Sequence, residues 1–155
     1  MEELVNILKE KKLTIGSVES LTGGLFASSL ASIPGVSSVF KGALVTYAIE
    51  IKENVCHVPC EIIDKYGVVS SECAYEMAKH GAQVLNTDVT ISFTGNAGPL
   101  CLDNQPVGTI FVGICYKNEV QTFKYELGNR SRNEIREAIV LESISLLKKF
   151  LKEKD

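Results

Sequence analysis

The feature that most constrains the fold is a repeated change of hydrophobic period, from two to 3.6, across short glycine-containing turns. Residues 13–19 (LTIGSVE) read as a short buried strand, Gly23-Gly24 breaks the chain, and Leu25, Phe26, Ser29 and Leu30 then recur at helical spacing until IPG at 33–35 stops them. An amphipathic helix precedes this unit, with Leu4, Val5, Ile7 and Leu8 on one side and lysines 9, 11 and 12 suiting its C-terminal dipole. The alternation continues. VFKGALVTYA (39–48) predicts a second strand, a short helical piece runs through IEIKENV, and Pro59 opens another short helix that ends near KYG. Ser70 and Ser71 precede a long helix as N-cap candidates, with Glu72 favouring its positive end.

Three strand-like runs follow: DVTISFTG, VGTIFVGICYK and EVQTFKYEL. Only Lys117 and Asn118 separate the last two, which predicts a hairpin. A final helix from about Ser131 to Lys152 turns Ile135, Ile139, Ile144, Leu147 and Leu151 to the core. Strands alternating with helices, then a hairpin and a closing helix, specify an α/β fold. The expected form is a three-layer α/β/α sandwich with a mixed, mostly parallel sheet. At 155 residues the chain is expected to form a single domain, residues 1–155.

Charge and composition exclude several classes. The net charge is −3 and the basic residues are scattered, so direct nucleic-acid binding, which needs a positive face, is not expected. The locally basic KKFLKEKD end reads as the solvated face of a closing helix. No apolar run approaches the ~20 residues of a membrane span. The N-terminus lacks the pattern of a signal peptide, so a cytoplasmic location without membrane association is expected. Five cysteines without framework spacing are expected to be reduced. Cys56, His57 and Cys60 invite a metal reading, but the four-ligand pairing of zinc sites is missing, so structural thiols are expected and no metal or cofactor.

In α/β sheets ligands gather where strands end and helices begin, which directs attention to ESLTGG (19–24) and TGNAGP (94–99). Glycines let backbone approach a ligand, and free helix N–H groups favour an anion or a developing oxyanion. On spacing alone two readings of Ser20 and Thr22 stay open: a turn residue with a helix cap, or hydroxyls placed for chemistry. No nucleophile elbow, dinucleotide fingerprint or P-loop is present. Ser38-Val-Phe-Lys41 matches Ser-x-x-Lys, but Lys41 falls inside a predicted strand. An attacking serine needs a base, and neither His57 nor His80 is well placed. Lys52 follows the strand that passes Tyr47 and has two readings: a surface lysine, the commoner outcome, or one that returns to the sheet edge carrying Ser20, where burial that lowered its pKa would let it serve as the base. Arg130 and Arg136, near the start of the last helix, are candidate phosphate ligands.

Taken in order, ESLTGG, GALVTYAIEIK, YGVVSSE, TGNAGP, PVGT and GNR before an amphipathic helix resemble the C-terminal domain family of the competence- and damage-inducible protein CinA. The likeness runs from about Leu13 to Leu151. It implies an amidohydrolase that converts nicotinamide mononucleotide to nicotinic acid mononucleotide and ammonia. By the same resemblance Ser20 is the nucleophile, Lys52 its general base, and Tyr47 a polarising or positioning group. Thr22, Gly23 and Gly24 would supply backbone donors, Thr94, Gly95, Ala97 and Gly98 would wall the nucleotide pocket, and Arg130 and Arg136 would bind substrate. The family also implies a homo-oligomer, a dimer or larger. Many members carry an additional N-terminal domain, and a chain opening at Met1 without one is expected to be free-standing. The chain departs from the family pattern at Leu21, Asn96, Asn129 and the LCLDNQ stretch after Pro99, where substrate would enter. The alternative function is a nucleotide-binding or competence-related interaction module without turnover.

Overall fold

The computed structural model describes residues 1–154. Helix α1 (Glu2–Lys11) leads into strand β1 (Ile15–Glu19), then α2 (Leu25–Ala31), a short 3-10 turn (Val36–Ser38) and β2 (Phe40–Val45). Helices α3 (Ile49–Asn54), α4 (Cys60–Tyr66) and α5 (Ser71–Leu85) follow, then β3 (Val89–Gly95), the hairpin β4 (Thr109–Tyr116) and β5 (Glu119–Glu126), and α6 (Arg132–Lys152). The sheet order is β2-β1-β3-β4-β5. Strand β1 pairs in parallel with β2 and β3, whereas the β3–β4 and β4–β5 pairs are antiparallel, so only β4 runs against the other four. This is the mixed, mostly parallel α/β arrangement expected from the sequence.

Two different layers cover the sheet. On one face Ile15, Val89, Ile91 and Phe93 meet Leu4 and Leu8 of α1, Phe26 of α2 and Ile135, Ile139 and Leu147 of α6 in the main apolar core. On the other face α5 brings small residues, Ala74, Ala78, Gly81 and Ala82, all buried. A methyl group on Gly81 would come within 2.2 Å of Val18 Cγ2, so glycine is what lets this helix lie so close to the sheet. The alternation in β3 follows from the two layers: its odd residues are apolar, while Ser92 and Thr94 donate to the carbonyls of Ala74 and Val68 on the α5 side.

Local signals account for the element ends. Ser70 accepts from the Cys73 N–H at the start of α5, and Ser131 and Glu134 form a reciprocal capping box on α6. Lys117 and Asn118 both take positive φ (48° and 72°), the geometry of a two-residue hairpin turn. One boundary differs. The strand expected over 39–48 ends at Val45, because the carbonyls of Thr46 and Tyr47 turn away from the ladder to accept from Lys52. Among the described residues no helix is long and apolar enough to cross a membrane.

Candidate active site

The turn after β1 is organised by the glutamate that ends the strand. Glu19 is fully buried, and its carboxylate accepts from Ser17 Oγ (2.9 Å) and from the N–H groups of Gly24 (3.2 Å), Phe26 (3.0 Å) and Ala27 (3.1 Å). A side chain of the protein thus satisfies the orphan donors at the start of α2 and occupies the place an anionic ligand would take. The Gly23 N–H is likewise taken, by the Ser20 carbonyl at 3.0 Å. The expectation that Gly23 and Gly24 present backbone donors to a substrate is corrected by these contacts, whereas the Thr22 N–H has no protein acceptor among the described residues. Thr22 is fully buried, its hydroxyl has no partner, and Gly24 rather than Thr22 is the N-cap. Gly23 and Gly24 serve through positive φ (56° and 100°), which bends the chain sharply enough to hold Ser20 at the end of the strand.

Helix α3 carries Lys52 back to the same edge. The residue is 1% exposed, yet its Nζ lies 3.1 Å from Ser20 Oγ, 2.6 Å from the Thr46 carbonyl and 3.0 Å from the Tyr47 carbonyl. Carbonyls only accept. An uncharged amine has two N–H donors and one lone pair, so when both donors go to Thr46 and Tyr47 the lone pair is left facing the Ser20 hydroxyl. Burial pushes the Lys52 pKa below that of an ordinary lysine. Its ionisable neighbours do not reverse this, because burial raises the Cys56 thiol to about 12 and the Cys73 thiol to about 11 and keeps both neutral.

Ser20 and Lys52 open onto a cleft of about 570 Å³. Thr94, Gly95, Ala97 and Gly98 line it, as does Tyr47, which is 57% exposed. Leu21 and Ala97 also face the cleft, and among the described residues their N–H groups have no protein acceptor. The remaining wall comes from Ile49, Val68 and the 99–102 segment.

The arginines are arranged differently from the sequence expectation. Arg130 is exposed and outside the cleft lining. Arg136 donates to the carbonyls of Leu21 (2.8 Å) and Thr22 (3.0 Å), so it braces the back of the Ser20 turn. The cleft arginine is Arg132, which donates to the Gly98 carbonyl (2.7 Å) and the Tyr47 hydroxyl and makes no salt bridge among the described residues. Its signal was present as a third arginine at the first position of α6, but nothing in the spacing distinguished it from its neighbours. Cys56 is buried and Cys60 exposed, and among the described residues no group of three or more His, Cys, Asp or Glu side chains is arranged to hold a metal.

Comparison with known proteins agrees with this architecture. Residues 1–151 match the CinA C-terminal domain. A Listeria welshimeri protein provisionally named competence-damage inducible protein is 46% identical over 151 residues, covering 97% of this chain and 36% of its own length. A Lactiplantibacillus plantarum protein of the same name is 45% identical with the same coverage. The chain therefore spans little more than a third of these relatives. The crystal structure of competence damage-inducible protein A from Klebsiella pneumoniae superposes with a TM-score of 0.96 at 23% identity, covering 99% of this chain and 96% of that one, a likeness of fold. The competence/damage inducible protein CihA from Agrobacterium tumefaciens gives 0.92 at 28% identity, covering 98% and 93%. With residues 1–151 matched to the family and relatives of the same name 45% and 46% identical along that length, the chain belongs to the CinA C-terminal domain family.

Proposed function

We propose that the protein is a serine amidohydrolase that releases ammonia from nicotinamide mononucleotide, with Lys52 as the base for Ser20. The observation that carries this reading is the three-way contact of the Lys52 amine, two carbonyls and one hydroxyl, in a site where burial favours the neutral form. The neutral amine takes the Ser20 proton as Oγ attacks the carboxamide carbon. The oxyanion is held by the N–H groups of Leu21 and Ala97, in place of the glycine donors engaged by Glu19 and Ser20. Protonated Lys52 then returns its proton to the departing nitrogen, and ammonia leaves. Water resolves the acyl-serine with Lys52 again as base, giving the pyridine carboxylate and restoring the hydroxyl. Arg132, held by neutral acceptors, is the cation available to the substrate phosphate, and the Tyr47 hydroxyl positions it.

The test is ammonia release from nicotinamide mononucleotide by the unmodified protein and by Ser20→Ala and Lys52→Ala. Release that is lost in both variants supports the amidase. Nucleotide binding without release in the unmodified protein replaces it with a binding module.

A further inference from the structure

The cleft wall after Pro99 departs from the family pattern in sequence, yet it is held at both ends. Leu102 and Gln105 form an isolated antiparallel bridge around Asp103 and Asn104, whose φ values of 53° and 58° define a two-residue hairpin turn. At its foot Asn96, another departure from the family pattern, donates from Nδ2 to the Gln105 carbonyl (3.1 Å) and accepts through Oδ1 from the Gly98 N–H (3.0 Å). At its tip a single oxygen, Asp103 Oδ2, accepts from the N–H groups of Val68 (2.8 Å) and Val69 (2.9 Å) in the loop before α5. A methyl group on Gly67 would lie 2.7 Å from that same oxygen, so the α4–α5 loop leaves the carboxylate a seat only glycine allows. Val68 is a cleft residue, and its carbonyl accepts from Thr94 Oγ1 (2.6 Å). The grip therefore joins the hairpin to the opposite wall and to β3.

We propose that Asp103 is a positioning residue for substrate selection: by gripping Val68 and Val69 it fixes the 100–105 hairpin as a wall of the cleft and sets Leu100 and Leu102 over the entering ring. This rests on the amidase reading and deepens it. The two leucines are 81% and 47% exposed, and with Ile49 and Val68 they give the cleft mouth an apolar lining suited to a flat heteroaromatic carboxamide. A grip far from the reacting bond stabilises bound substrate and transition state alike, so its loss raises KM and leaves kcat in place.

The experiment compares Asp103→Gly, which tolerates the positive φ but loses the acceptor, with Asp103→Asn, whose single amide oxygen can accept both N–H groups. Steady-state ammonia release from nicotinamide mononucleotide is measured together with amide hydrogen exchange at Val68 and Val69. The expected result for Asp103→Gly is a KM raised about 10-fold with kcat within about 2-fold, and exchange at both amides at least about 5-fold faster; Asp103→Asn stays near the unmodified protein on every measure. Unchanged KM and exchange in Asp103→Gly, or equal impairment in Asp103→Asn, overturns the proposal. If the unmodified protein releases no ammonia, the amidase reading fails by itself. Exchange needs no substrate and still decides the grip, because equal protection in Asp103→Gly overturns it.

Discussion

On one side of the cleft Ser20 stands on a turn anchored from beneath by the fully buried Glu19, with Lys52 sealed beside it at 1% exposure. On the other side residues 99–104 lie exposed, and the segment is held by two polar staples, Asn96 at the foot and Asp103 at the tip. The first wall spends buried charge and glycine geometry on fixing two atoms 3.1 Å apart. The second fixes only a surface. The chemistry we propose demands the former precision, since in it a proton passes between two particular atoms, whereas selection among substrates needs only a stable shape.

Breaking the first wall is expected to have the larger effect. Under the proposed mechanism Ser20→Ala or Lys52→Met should lower ammonia release by about 10³-fold, within the range for loss of a nucleophile or its base. Next comes the support beneath. Glu19→Ala leaves the N–H groups of Gly24, Phe26 and Ala27 and the Ser17 hydroxyl without their shared acceptor, and urea unfolding should register a loss of about 3 kcal/mol. Activity should fall with it because the turn aims Ser20. The second wall gives way more gently. Asn96→Ile, which restores the family's residue, removes the bonds to Gln105 and Gly98 and should cost about 1 kcal/mol in unfolding, with kcat unchanged.

Proton linkage sharpens the same contrast. The Lys52 pKa is lowered in the fold from 10.5 by burial, so the unfolded chain binds more protons between the folded and unfolded values. Stability therefore rises as pH climbs through the folded value. That gain is cleanest below pH 9.0, the ordinary value from which the buried thiols Cys56 and Cys73 are raised, because above it they oppose the rise. Thermal unfolding across this range should show the increase in the unmodified protein and not in Lys52→Met. No such slope is expected to change in Asn96→Ile.

The two walls also differ in how far the sequence revealed them. The strand-turn-helix at 15–31 and the long helices were written in periodicity and, for α5, in the Ser70 cap, whereas the Ser131–Glu134 capping box came from the structure. Ser20 and Lys52 emerged from ordered motifs, not from spacing. Their contact depends on Thr46 and Tyr47 leaving the β ladder, a local competition between a buried amine and a strand partner that propensity does not weigh. Glu19 stood in plain view as the residue before the turn, but a glutamate at a strand end is usually solvated, and only its burial and its bonds from Gly24, Phe26 and Ala27 show that it satisfies the start of α2. The second wall was the least legible. LCLDNQ has no period, and the grip of Asp103 joins residues 35 positions apart in sequence, although Asp-Asn is a composition that tolerates the left-handed turn found there.

The account turns on the charge of one amine. Protein carrying ¹³Cε-lysine, with the Lys52 signal assigned by its absence from Lys52→Met, allows that amine to be titrated directly by NMR. The account predicts a Lys52 midpoint below that of the exposed lysines, and a further change in that midpoint when Ser20 is replaced by alanine. A Lys52 signal that titrates with the exposed lysines and ignores Ser20 would contradict it.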